Sequence, residues 1–133
     1  MNGSSLYERV GGDAFFQSLV NDFYARVATD PILRPLYPDD LEPSERHLAM
    51  FLAQYWGGPR SYDSERGHPR LRMRHAPFTI GRAERDAWMR HMQAAVEASG
   101  ASREDAAALV DYFETASTSL MNQPFWVPAS RDR

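Results

Sequence analysis

Gly67-His68-Pro69-Arg70-Leu71-Arg72-Met73-Arg74-His75-Ala76-Pro77-Phe78 holds two of the chain's four histidines, three arginines at alternate positions and a proline near each end. Proline lacks a backbone donor and restricts the residue before it, so any helix here runs little more than one turn. Such a segment is too short to build core. It can, however, present a side chain to a pocket made by longer helices on either side.

Upstream, residues 60–78 as a whole read as a long polar connection, and between residues 60 and 90 eight arginines stand against four acids. Connections of that length in compact domains are usually functional or disordered. The arginines read either as a solvated face or as a site for carboxylates or phosphates, which guanidinium forks bind in bidentate fashion. Before this connection, Leu48, Phe51, Leu52 and Tyr55 follow an i, i+3, i+4, i+7 pattern that predicts a helix from about Pro43 to Trp56. Gly57-Gly58-Pro59 stops it.

Further upstream, Phe16, Leu19, Val20, Phe23 and Val27 predict a helix from Ala14 to Thr29, with Asp13 placed to cap it. Tyr24 falls at the edge of that apolar face, where a tyrosine normally packs with its hydroxyl in water. Ser5 to Val10 reads as a short helix closed by Gly11-Gly12. Asp30-Pro31 is a cap and first-turn proline that starts a short turn through Ile32, Leu33 and Leu36 to Tyr37.

Downstream of the arm, Trp88, Met92 and Val96 form one stripe of a helix from about Thr79 to Ser99, and Gly100 ends it. Ser102-Arg103-Glu104-Asp105 resembles a capping box. The helix it opens carries Ala106, Leu109, Val110, Phe113, Ala116, Leu120 and Met121 on its apolar face and stops at Pro124. No stretch reads as a strand and no repeat is visible, so the fold class is all-α.

The 133 residues, 43% apolar and 25% charged, fit a single domain over 1–133, with its core at about 6–125 and a flexible tail at 126–133. No apolar run reaches membrane-spanning length and no signal peptide is apparent, so the expected location is cytoplasmic. Without cysteine there are no disulfides, iron–sulfur clusters, thiolate zinc sites or covalently attached haem. Without lysine there is no Schiff-base chemistry and no phosphate-loop lysine. A net charge of -3 gives no reason to expect nucleic-acid binding.

His47, His68, His75 and His91 are dispersed, and no His-Glu-x-x-His helix is present, which argues against catalytic zinc. A haem needs a neutral axial imidazole, an apolar slot, and donors or cations for its propionates. His75 would be the ligand. Leu48, Phe51, Leu52, Phe78 and Met92 would form the slot, with Arg72, Arg74, Tyr62 or His47 at the propionates. Composition alone leaves two other readings open: His75 as a surface residue, and a helical module without haem that binds an acidic partner through its arginines.

The spaced motifs Tyr7-Glu8-Arg9-Val10-Gly11-Gly12, Phe23-Tyr24, Tyr37-Pro38, Phe51 to Pro59, Gly67 to Phe78 and Trp88 together resemble the truncated haemoglobins, specifically their second group. The match runs from about Leu6 to Phe125. The resemblance implies a truncated globin-like two-over-two sandwich of four main helices around haem b (iron protoporphyrin IX), with His75 as proximal ligand. It places the distal tyrosine on Tyr24, a second distal aromatic on Tyr37 and the group's indole on Trp88. Leu48 matches the residue one turn after the ligand gate, which puts Ser44 at the gate, where a small side chain leaves an entry path.

The expected activity is reversible binding of oxygen, and of carbon monoxide and nitric oxide, with an electron donor as a further partner and a homodimer left open. The alternative is a haem enzyme for nitric-oxide dioxygenation or peroxidase-like turnover. Oxygen held at ferrous iron carries partial negative charge, so hydrogen bonds from Tyr24 and Trp88 would retain it. A bond to a charged partner contributes about 1.5–3 kcal/mol, and each ~1.4 kcal/mol is about tenfold in equilibrium. Slow release suits a scavenger, sensor or oxidative catalyst better than a carrier that must unload.

Overall fold

Each apolar stripe has to be buried against another, and the computed structural model, which describes residues 4–67, 75 and 80–121, shows how the stripes pair. Helix α1 (Leu6–Val10) is opened by a capping box. The Ser5 hydroxyl accepts from the Glu8 N–H at 3.2 Å, and the Glu8 carboxylate accepts from the Ser5 N–H at 3.4 Å. Helix α2 (Asp13–Val27) buries Phe16, Leu19, Val20, Phe23, Tyr24 and Val27. Asp13 does not cap it as expected. It is the first helical residue, after Gly12 in a positive-φ conformation, and its carboxylate accepts from the Tyr7 hydroxyl at 3.1 Å.

Asp30 does cap the turn after α2, accepting from the N–H groups of Ile32 (2.7 Å) and Leu33 (3.1 Å). A single 3-10 turn, Arg34–Leu36, leads to Tyr37. Helix α3 spans Glu42–Tyr55. Helix α4 (Ser61–Arg66) is a correction, because its sequence was read as part of an irregular connection. Tyr62 is its one buried residue, edge-on to Phe51 at 5.5 Å, so it has no stripe for periodicity to reveal. The Gln54 side chain on α3 fixes it by accepting from the Asp63 N–H at 3.0 Å.

Helix α5 (Arg82–Ala98) starts after Gly81, whose N–H donates to the Glu84 carboxylate at 2.9 Å. Helix α6 (Arg103–Ser119) forms half of the expected capping box: Ser102 accepts from the Asp105 N–H at 3.1 Å. The Asp105 carboxylate is engaged elsewhere, with Arg9 at 3.0 Å, and ties α6 to the start of the chain. The stop at Pro124 and the tail lie outside the described residues.

Helix α2 packs on both α3 and α5, α5 packs on α6, and α4 lies on α3. The arrangement is two helices over two, and no strand occurs among the described residues. Phe16, Phe23, Leu52, Met92, Leu109 and Phe113 are among the large fully buried side chains of the core. No helix among the described residues is long and apolar enough to cross a membrane.

The end of α3 meets α1 closely. The Tyr7 N–H donates to the Trp56 carbonyl at 3.0 Å. A Cβ added at Gly58 would sit 2.6 Å from the Tyr7 ring and 2.8 Å from the Ala53 carbonyl oxygen. The carbonyl cannot swing away as a side chain can, so Gly58→Ala should destabilise the protein by about 1–3 kcal/mol, as overpacking does. Thermal unfolding beside wild type checks this, and an unchanged midpoint would show that the α1 contact gives way freely.

Candidate functional site

Between the two helix pairs lies a cavity of about 330 Å³. Helix α2 supplies Tyr24, the following turn supplies Leu33, Leu36 and Tyr37, and α3 supplies Ser44, His47, Leu48, Phe51 and Leu52. Tyr62, His75 and Trp88 complete the set read from the sequence. That volume lies at the lower end of ordinary ligand pockets, which span about 300–1,000 Å³.

Met92, one turn beyond Trp88, is fully buried in the core cluster and is not among the side chains that line the cavity. Arg72, Arg74 and Phe78 lie outside the described residues. Sequence reasoning missed the α6 wall, Tyr112, Phe113, Ala116 and Leu120, and also Arg66 and Arg85. The i, i+4, i+8 spacing of Tyr112, Ala116 and Leu120 was the available signal for that wall.

One wall of the cavity is a cluster of hydrogen-bonding aromatics. Tyr24 is only 5% exposed, so the expected edge position with its hydroxyl in bulk water does not hold. Its ring is edge-on to Tyr37 at 5.4 Å. Trp88 is wedged between Phe23 at 5.0 Å and Phe113 at 5.6 Å, which leaves its indole little freedom to turn.

Burial raises the Tyr24 phenol far above its ordinary value, and the neighbouring Tyr37 raises it further, while the Ser44 hydroxyl acts in the opposite direction. Burial likewise raises Tyr37, against hydrogen bonds from Trp88 and Tyr24. Tyr24, Tyr37, Trp88 and Ser44 all line this part of the cavity, and each carries a group able to donate a hydrogen bond. Both phenols stay protonated across the physiological range.

The opposite character appears at the rim. Arg66 Nη1 lies 2.9 Å from His47 Nδ1, and Glu65 joins His47 (3.7 Å) to Arg46. Burial and the positive charges of Arg66 and Arg46 push the His47 pKa below its usual value, which keeps the ring neutral and able to accept from Arg66. Arg85 is held on the other side by the Thr118 hydroxyl at 3.2 Å. His91 lies away from the cavity, 2.6 Å from the buried Asp30 carboxylate. Among the described residues no cluster of His, Asp and Glu could hold a bare metal ion.

An apolar slot with donors on one wall, arginines at its rim and an imidazole on its lining leads directly to a comparison with known proteins. The family model described as bacterial-like globin matches residues 5–122. The chain is a truncated haemoglobin of that family. It is 41% identical over 117 residues to the group 2 truncated hemoglobin YjbI of Bacillus subtilis, a match covering 88% of each protein. The solved haemoglobin of the thermophilic phototroph Chloroflexus aurantiacus superposes with a TM-score of 0.89 at 52% identity, covering 90% of this chain and 99% of that one. The group II truncated haemoglobin of Bacillus anthracis gives 0.89 at 34% identity, with 93% and 95% covered.

The second-group resemblance and the two-over-two fold are thus borne out. The cofactor of this truncated haemoglobin is haem b, and the residues present suit it. Leu36, Leu48, Phe51, Leu52, Ile80 and Phe113 give an apolar lining, His75 places an imidazole on it that could serve as a nitrogen ligand, and His47, Arg66 and Arg85 offer partners to carboxylates. Its coarse function is haem-based binding of diatomic ligands.

Proposed function

We propose that the protein is a reversible, slowly releasing oxygen binder in which His75 ligates the iron and Tyr24, Tyr37 and Trp88 hold the ligand. What supports this reading is the gathering of Tyr24, Tyr37 and Trp88, each with a group able to donate a hydrogen bond, on the lining of the same cavity as His75. When bound, the haem would supply an iron able to take a small diatomic ligand. Donors held in place by packing, as Trp88 is between Phe23 and Phe113, need little reorganisation to reach a ligand atom that draws negative charge.

Ser44, partly buried on the cavity lining, would serve as the small residue at the ligand gate. His47, Tyr62 and Arg66 hold the propionates, joined by Arg72 and Arg74 from the arm. Leu48, Phe51, Leu52 and Phe78 exclude water from the macrocycle. Carbon monoxide, which draws less charge, should gain less than oxygen from the donors. Nitric oxide meeting a retained oxygen would be oxidised in the same cavity, and an electron donor would then have to restore the ferrous protein.

Trp88→Phe tests the reading, because it keeps an aromatic wedge and removes one donor. Loss of a hydrogen bond to a charged partner, about 1.5–3 kcal/mol, should speed oxygen dissociation by about tenfold or more in stopped flow. Carbon monoxide dissociation should change much less. Equal acceleration of both would indicate a steric role, and no change would remove Trp88 from the mechanism.

A further inference from the structure

Arg34 holds the backbone that carries Tyr37. It opens the 3-10 turn Arg34–Leu36, and its guanidinium reaches forward past the end of that turn. Nη1 donates to the carbonyls of Tyr37 at 3.2 Å and Pro38 at 3.1 Å, and Nη2 donates to the carbonyl of Asp39 at 2.9 Å. No backbone N–H among the described residues reaches those three oxygens. The Tyr37 N–H in turn donates to the Arg34 carbonyl at 3.2 Å, so one residue takes both polar groups of the Tyr37 main chain. The Arg34 N–H donates to the Asp30 carbonyl at 2.9 Å, which anchors the clamp to the capped turn after α2.

The sequence around Tyr37 makes such a clamp necessary. Residues 38–41 belong to no helix or strand. Pro38 has no N–H to donate and holds Tyr37 in extended backbone, at φ -115° and ψ 153°. Carbonyls in such a stretch otherwise turn to water, and water does not fix an angle. A guanidinium does, because its donors lie in one rigid plane. The Tyr37 ring stands on the cavity lining, edge-on to Tyr24 at 5.4 Å, whereas Arg34 is not part of that lining. The phenol oxygen lies at the far end of a stiff ring, so a small turn of the main chain is amplified there, and hydrogen bonds weaken steeply once bent.

We propose that Arg34 is a positioning residue for ligand retention: by clamping the main chain at 37–39 from outside the cavity, it aims the Tyr37 hydroxyl at the bound ligand. The proposal rests on Tyr37 being one of the residues that hold the ligand. The plainer role, a basic side chain that bonds the last carbonyls of a turn for stability, predicts a different result. A cap lost from the surface lowers the melting midpoint and leaves ligand release alone. A lost aim speeds the release of oxygen, which draws charge, far more than that of carbon monoxide.

Oxygen and carbon monoxide dissociation from the ferrous holoprotein are measured by stopped flow for wild type, Arg34→Ala, Tyr37→Phe and the double variant. Arg34→Ala should release oxygen about three- to thirtyfold faster, the span by which residues without ligand contact shift binding elsewhere, with carbon monoxide much less affected. In the Tyr37→Phe background the same change should add nothing, because the hydroxyl it aims is already gone. The carbon–oxygen stretch of the carbon-monoxide form should move in Arg34→Ala toward its Tyr37→Phe position. Arg34→Lys keeps the charge without the planar fork, and it carries the same measurements if Arg34→Ala does not fold. Oxygen release at the wild-type rate in the Arg34 variant, acceleration of both ligands alike, or equal acceleration with and without the Tyr37 hydroxyl overturns the proposal. Tyr37→Phe that releases oxygen at the wild-type rate overturns instead the reading of Tyr37 as a ligand-holding residue.

Discussion

His75→Gly is expected to remove the proposed iron ligand and, with it, most of the protein's hold on haem. Two imidazoles, His75 and His47, line the cavity among the described residues, and they are not equivalent. His47 is already engaged with Arg66 and Glu65, and a ring nitrogen in such a network is poorly placed to turn toward iron. Removing a partner that merely orients a ligand typically weakens metal binding by about 10–100-fold, so removing the ligand itself should cost more than that. Haemin titration and transfer of haem to an acceptor globin measure the loss.

Imidazole added to His75→Gly should enter the space left by the side chain and restore the reduced and carbon-monoxide spectra, because the apolar slot that seats the macrocycle is still present. His47→Gly is the matched control, expected to keep the wild-type ligation spectrum and to alter only the propionate side. If His47→Gly lost the spectrum and His75→Gly kept it, the assignment of the two imidazoles would be reversed.

The parts of this molecule that could be read from sequence are those in which one physical requirement dominates. Helices α2, α3, α5 and α6 each bury a continuous stripe, and the stripe shows in the spacing of residues such as Phe16, Leu19, Val20 and Phe23. Helix α4 escaped because Tyr62 alone is buried and the rest of its hold is a single side-chain contact from Gln54. Tyr24 shows a different limit. Its place beside the apolar face was evident, but its burial depends on Tyr37 and Trp88 arriving from two other segments. Met92 shows a complementary limit: periodicity puts it on the same stripe as Trp88, and one turn along the helix it is buried in the core cluster. The α6 wall and the Asp30–His91 pair, whose two residues are 61 positions apart, depend on long-range contacts, which local spacing does not carry.

That pair should be the protein's most sensitive ionic point. Asp30 is 7% exposed, and its carboxylate receives the N–H groups of Ile32 and Leu33, the His91 ring at 2.6 Å and Arg90 at 3.4 Å. It fastens the turn between Tyr24 and Tyr37 to the helix that carries Trp88, so it fixes the distance across the distal cluster. Asp30→Ala removes a cap, about 1 kcal/mol, and a charge-assisted bond, about 1.5–3 kcal/mol, for a loss of about 3 kcal/mol. At about 3–4 °C per kcal/mol for a chain of this size, the melting midpoint should fall by about 10 °C. Asp30→Asn, which can still accept from the two N–H groups, should fall by less, and the difference between the variants isolates the cap.

The pH dependence has a fixed sign. The hydrogen bond from His91, opposed by burial and assisted by the Ile32 and Leu33 N–H groups, holds the Asp30 pKa below its ordinary value in the folded protein. The unfolded chain therefore binds a proton first as pH falls. The carboxylate's contribution is complete above the unfolded value of about 3.9 and is lost as pH drops through the folded one. Wild type and Asp30→Asn should differ most in the neutral range and converge in acid. Melting curves with a gap that stayed constant down to the acid limit would mean that Asp30 acts by shape alone. If instead both variants accelerate oxygen release, to an extent that follows their lost stability, the clamp also sets the spacing between Tyr37 and Trp88 on which ligand retention depends.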